Sequence, residues 1–221
     1  LEDWVRISDS ELKIFWQGKK KPAAKAVATR SNVGKSRNPI DDLRQIVDRN
    51  FHSSGKVEGY KRYHIRSYIP VRTGMQDNHS KAIISLKNRQ DQAVKYFLNI
   101  LGVLKDCKFT ICTVPGSDPD EHSGTVELAE ALARSPNITH ASTILVKKYE
   151  TLPLSQGGDR DPDIIQNSLR LNDNSGLIRN KTVLLLDDVA TSWSTMTACI
   201  RHLKKANPAL IVPLVLGLTP Q

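Results

Sequence analysis

The spacing of apolar residues changes character along the chain. From 39 to about 104 it has helical rhythm in two places. Ile40, Leu43, Ile46 and Val47 share one face of a helix that Asn38-Pro39-Ile40-Asp41-Asp42 would start, with Asn as cap, Pro in the first turn and two acids at the positive end of the dipole. Ala93, Val94, Phe97, Leu98 and Leu101 recur every three or four residues and predict a helix over 92–104. Between them, Tyr60, Tyr63, Ile65, Tyr68, Ile69 and Val71 suggest β structure over 57–73, closed by Gly74.

Further on, short apolar runs alternate with amphipathic segments. Strands are expected at 109–114, 142–146, 182–186 and 211–218. Helices are expected at 124–134 and around Ala198, Cys199, Leu203 and Lys204. Strand-helix alternation implies right-handed crossovers and a mostly parallel central sheet flanked by helices, an α/β fold. Ligands of such sheets sit beyond the carboxyl ends of the strands. Residues 147–161 are polar, with two Gly and a Pro, and show no core pattern.

Charge divides the chain. The net charge is +9. Residues 1–75 hold sixteen basic against eight acidic side chains, whereas residues 76–221 hold sixteen against fifteen. Lys19, Lys20, Lys21, Lys25, Arg30, Lys35 and Arg37 crowd a stretch with no acid and little to bury. This predicts a solvated extension over 1–38, ahead of a folded domain at 39–221. Such an arm suits the phosphates of DNA, and a plain tether explains it equally well. Val33-Gly34-Lys35-Ser36 echoes the end of a P-loop, but Thr29 stands where the first glycine belongs.

No apolar run approaches the roughly 18–20 residues of a membrane span, so no membrane role is expected. The three cysteines, Cys107, Cys112 and Cys199, are scattered and form no CxxC pair. With no signal peptide visible, a reducing, cytoplasmic setting is expected. The six histidines are dispersed, and no metal ligand is assigned directly. Arg62, Arg66 and Arg72 interleave with Tyr60, Tyr63 and Tyr68, which fits either a single-stranded nucleic-acid surface or a half-buried sheet edge.

The most informative segment is Val183-Leu184-Leu185-Leu186-Asp187-Asp188-Val189-Ala190-Thr191-Ser192-Trp193-Ser194-Thr195. Four apolar residues drive a strand into the core. Two acids then stand at its carboxyl end, where an unpartnered carboxylate pair is costly. The hydroxyls of Thr191, Ser192, Ser194 and Thr195 follow on a turn that opens a helix, where free amides favour a phosphate. Acids beside a phosphate cradle suit a phosphorylated sugar.

This segment resembles the phosphoribosyl pyrophosphate (PRPP) signature of type I phosphoribosyltransferases, and the order of features resembles the ComF-type, competence-associated branch. A Lys-bearing helical region, 83–104, precedes a strand ending in Val114-Pro115. A Leu/Ala-rich helix follows at 127–133, then Leu145-Val146-Lys147-Lys148, Thr151…Gln156 and Asn167. The resemblance implies a type I phosphoribosyltransferase-like fold over about 60–221. It also implies transfer of ribose 5-phosphate from PRPP, with magnesium, to an unidentified acceptor.

By the same resemblance, Asp187 and Asp188 would hold the ribose hydroxyls and favour positive charge at the anomeric carbon. Thr191, Ser192, Trp193, Ser194 and Thr195 would hold the 5-phosphate. Pro115, Gly116 and Ser117 would form the pyrophosphate loop. Lys147, Lys148, Gln156 and Arg160 would belong to a flexible loop closing over the site. The alternative is a catalytically degenerate sugar-phosphate or nucleotide module acting in DNA processing or uptake, touching DNA or a helicase-like partner through the basic arm.

The chain departs from the pattern at three points. Trp193 stands where the signature has glycine, and is expected to narrow the phosphate pocket or to stack on a base or partner. The loop Gly116–His122 has three acids and no Lys or Arg. The N-terminal zinc-binding cysteines of many ComF-type proteins are absent, and the basic arm takes their place.

Overall fold

In a computed structural model of the chain, residues 39–118, 122–150 and 161–220 are described. The basic segment 1–38 lies outside these residues, as do Gln156 and Arg160. Helix α1 (Pro39–Asn50) leads into a hairpin of β1 (His52–Val57) and β2 (Tyr60–Ser67). Then come α2 (Asn78–Lys87), α3 (Asp91–Leu101), β3 (Phe109–Thr113), α4 (Gly124–Leu132) and β4 (Ile138–His140). The chain continues through β5 (Leu145–Lys147), α5 (Pro162–Asn167), β6 (Leu169–Leu171), β7 (Thr182–Ala190), α6 (Ser194–Lys204) and β8 (Leu210–Leu218).

The six-stranded sheet has the order β1-β2-β8-β7-β3-β4. Only β1 runs antiparallel to its neighbour; the β2–β8, β8–β7, β7–β3 and β3–β4 pairs are parallel. The expected α/β architecture is therefore present. Its central strands are apolar throughout because helices cover both faces. Alternation along β7 sends Leu184 and Leu186 to one face, with Leu43, Ile83, Leu86, Phe97 and Leu128 from α1–α4. It sends Val183 and Leu185 to the other, with Met196, Cys199 and Leu203 of α6. All eight of the aliphatic residues Leu43, Ile83, Leu86, Leu128, Val183, Leu184, Leu185 and Leu186 are fully shielded. Each contributes roughly 1.5–3 kcal/mol relative to exposure.

Two expectations need correction. The strand expected at 142–146 is split. Ser142–Ile144 form a 3-10 turn, the third parallel neighbour is β4, and β5 pairs antiparallel with β6 in a separate two-stranded sheet. A short apolar run reads alike whether it joins the main sheet or packs beside it. The β2 strand is also not a sheet edge, because β1 covers it. Tyr63 turns into the core and donates its hydroxyl to Asp48 Oδ1 at 2.8 Å. Burial and the Asp48 charge push that phenol's pKa up. The aromatic-basic row is thereby divided, and a stacking face for single-stranded nucleic acid loses its central ring. Among the described residues, no helix is long and apolar enough to cross a membrane.

Candidate functional site

The site is created by a difference in strand length. The β3–β7 ladder ends at Thr113↔Leu186, with one further bond from Val114 N to Leu186 O at 2.9 Å. On its other side β7 stays paired with β8 as far as Ala190↔Leu218. Asp187 and Asp188 therefore do not sit at the strand's end, as the apolar pattern suggests. They lie within β7, just past the point where β3 has left, because the long apolar β8 carries the ladder onward. In α/β sheets ligands bind beyond the carboxyl ends of the strands, and this is where β3 and β7 part.

Successive residues of a strand face opposite ways, and the two acids follow that rule. Asp187 lies on the α6 face, close enough to raise the Cys199 thiol's pKa further after burial has done most of it. Asp188 lies on the α2 face, where Lys87 Nζ is 3.1 Å from its Oδ2. Both aspartates are half-buried. Asp187 Oδ1 accepts the backbone N–H of Asp188 at 2.8 Å. This amide is on the side that β3 no longer reaches, so the carboxylate stands in for a missing ladder partner.

Burial pushes the Asp187 carboxyl up to about 8, with the Asp188 charge acting in the same direction. The Asp188 amide and Lys87 oppose that shift. For Lys87, desolvation pulls the ammonium down, but Asp188 and Asp187 more than offset it and its pKa rises.

The hydroxyl loop follows directly. Thr191 and Ser192 are exposed; Ser194 is buried and Thr195 half-buried. Ser192 Oγ and Ser194 Oγ are 3.0 Å apart, and Thr191 Oγ1 donates to Thr219 Oγ1 at 3.2 Å. No side chain caps α6. Its first-turn amides, like those of any helix, have no partner within the helix.

Trp193 takes a left-handed conformation, φ 64° and ψ 9°, at the N-cap of α6. A glycine would adopt this backbone freely; in a tryptophan it costs roughly 1–2 kcal/mol. The indole is offset by burial: it is 5% exposed and packs in the core on the α6 face, under the Arg62 guanidinium at 5.2 Å from the ring centroid. Arg62 is itself held by Ser54 O through Nε at 2.7 Å and through Nη2. So the ring neither projects across the hydroxyl loop nor offers a face to a base or partner, contrary to what its position suggests. A large apolar side chain finds its minimum in the core.

Residues 122–216 match the model of the phosphoribosyl transferase domain family. The matched stretch takes in both aspartates, the hydroxyl loop and α6. No curated protein sequence matches the chain. Among solved structures, purine phosphoribosyltransferase from Pyrococcus horikoshii Ot3 is similar at 15% identity and a TM-score of 0.35, over 70% of this chain and 79% of that one. Orotate phosphoribosyltransferase from Mycobacterium tuberculosis H37Rv, in complex with Fe(III) dicitrate, is similar at 14% identity and a TM-score of 0.30, over 80% and 82%.

The remaining residues named from the sequence lie as follows. Pro115, Gly116 and Ser117 are half-buried and leave β3 beside the aspartates. Lys147 is buried in β5 and donates from Nζ to Ser168 Oγ at 2.9 Å, and desolvation lowers its pKa. Lys148, its outward neighbour, donates to Asn167 O at 2.8 Å. Among the described residues, no three His, Cys, Asp or Glu side chains converge as metal ligands.

Sequence reasoning did not single out Lys87. A lysine in the last turn of a helix is ordinary dipole compensation, so its type and place gave no signal. Nor did it single out Gly124. A Cβ there would lie 1.8 Å from Leu86 O, so the start of α4 touches the end of α2 backbone to backbone.

Proposed function

We propose that the domain binds PRPP at the carboxyl end of β7 and transfers its phosphoribosyl group to an acceptor nucleophile. The observation that carries this reading is the geometry of β7 within the matched stretch. Two acids stand on opposite faces of β7 where β3 has ended, next to an uncapped helix start rich in hydroxyls. The amides and hydroxyls of 191–195 would take the 5-phosphate. Asp187 and Asp188 would take the ribose hydroxyls.

In the reaction the acceptor's lone pair forms a bond to the anomeric carbon. The carbon–oxygen bond to pyrophosphate breaks, and its electron pair leaves with pyrophosphate. Positive charge grows on the ring in between, and a fixed carboxylate at Asp188 favours it without reorganisation. Magnesium fits this donor set in a limited way. Carboxylate oxygens are the hard ligands it prefers, but no three converge, so most of its ligands would come from the phosphates and water. Bound there, it would offset charge on the leaving group.

The test is calorimetric titration of the full chain with PRPP and magnesium, alongside pyrophosphate release with candidate bases. Saturable binding that disappears in Asp187→Asn/Asp188→Asn supports the reading; absence of binding in the wild type sinks it. A second reading is favoured by the raised pKa of the Asp187 carboxyl: a domain that binds the sugar phosphate without transferring it, and that acts on DNA or a helicase-like partner through the basic arm. Binding without pyrophosphate release for any acceptor would select that reading.

A further inference from the structure

The loop that should receive the most anionic part of PRPP has no cation of its own. Residues 115–123 contain Asp118, Asp120 and Glu121 but neither Lys nor Arg. A lysine or arginine for a pyrophosphate placed there has to come from another element.

The packing supplies it from α2. One end of the loop is pinned where Val114 N bonds Leu186 O, two residues before Asp188. The other end is pinned where Gly124 meets the Leu86 carbonyl, one residue before Lys87. Both anchors lie within two residues of a member of the Lys87–Asp188 pair. The Lys87 side chain is 49% exposed, against 22% for Asp188. Arg89, nearby in sequence, is already committed to Glu127 of α4 at 2.7 Å. The α4 N-terminus at Gly124 adds the positive end of a helix dipole to the same place.

We propose that Lys87 is the pyrophosphate-binding cation of this site, held on Asp188 in the empty protein and transferred to the pyrophosphate when PRPP enters. The exchange has a purpose at both ends: the leaving group gains its counter-charge, and Asp188 is released to meet the ribose. An anion lacking the pyrophosphate would leave the ion pair closed. The site would thereby distinguish PRPP from ribose 5-phosphate by more than size. This inference rests on the PRPP reading of the same site.

The experiment compares PRPP, inorganic pyrophosphate and ribose 5-phosphate, each with magnesium, by titration calorimetry on the full chain as wild type, Lys87→Met and Lys87→Arg. In Lys87→Met, PRPP and pyrophosphate should weaken by roughly 10- to 100-fold, the range of a lost charge-assisted bond. Ribose 5-phosphate should change by less than about 3-fold, or tighten, since Asp188 is freed. Lys87→Arg should restore most of the PRPP affinity, because it keeps charge and donors. Parallel losses for PRPP and ribose 5-phosphate, or no loss of PRPP affinity, would overturn the role of Lys87. A wild type that binds ribose 5-phosphate but not PRPP would overturn it too, leaving a sugar-phosphate site. A wild type that binds neither would overturn both this inference and the function it rests on.

Discussion

The loops that follow β7 and β3 lie side by side at the open end of the sheet, yet they are built on different principles. The loop after β7 carries its chemistry in consecutive residues: two acids, four hydroxyls and a helix start, all between 187 and 195. Its one anomaly, Trp193, is absorbed by the core beneath it. The loop after β3 has three acids and no Lys or Arg, and the lysine next to its anchors lies on a helix about 30 residues earlier in the chain, brought there through backbone contact at Gly124. The first loop can be read along the chain and the second only across it. A local motif fixes which atoms face a ligand, while packing between distant elements can decide the sign of the charge they meet.

Substitutions can break or sharpen this contrast. The largest effect is expected from Trp193→Gly. Relief of left-handed strain gains roughly 1–2 kcal/mol, but loss of a buried indole costs about 3–5 kcal/mol. The net result should be a destabilisation of about 2–3 kcal/mol in urea unfolding. A variant as stable as the wild type would mean that the ring is not a core residue.

Gly124→Ala should cost about 1–3 kcal/mol, since the added methyl must displace the Leu86 carbonyl. It should also weaken PRPP binding more than ribose 5-phosphate binding, by moving Lys87. Equal weakening would detach the glycine from the pyrophosphate side.

Asp187 gives a pH-dependent test. Its folded-state pKa is raised from 3.8 to about 8, so the folded protein holds a proton that the unfolded chain releases. Stability associated with this group is fully present below about pH 4 and lost as the pH rises towards 8. Asp187→Asn should therefore match the wild type near pH 4. At pH 8 it should be more stable by about 1–2 kcal/mol, as read from urea midpoints. A pH-independent difference would refute the burial of that carboxyl.

The smallest effect belongs to Arg62→Met. It removes the guanidinium over Trp193 and its bonds to Ser54 O, and should lower stability by about 1 kcal/mol. Trp193 emission should shift with it.

Legibility followed the same division. The helices at α1, α3 and α6 and the strands β3, β7 and β8 were readable because each has an apolar period or a continuous apolar run. The helix α2 was not assigned separately: its apolar face is only Ala82, Ile83 and Leu86, with buried polar His79 and Ser80 beside them. His79 is accommodated by Tyr96 Oη at 3.1 Å and Leu216 O at 2.8 Å, partners that no local pattern announces. The acids and hydroxyls of the site could be named from sequence. Their opposite facing could have been deduced from strand alternation, but only with knowledge that β7 runs on to Ala190. That depends on the length of β8, which the sequence of β7 does not contain.

The bond from the Asp188 amide to the Asp187 carboxylate has a consequence for occupancy. A sugar hydroxyl that claims this carboxylate competes with a main-chain proton, so engaging the ligand loosens one peptide unit in the middle of the sheet. That single amide becomes a gauge of site filling, and its deuterium uptake should quicken as the sugar hydroxyl displaces it.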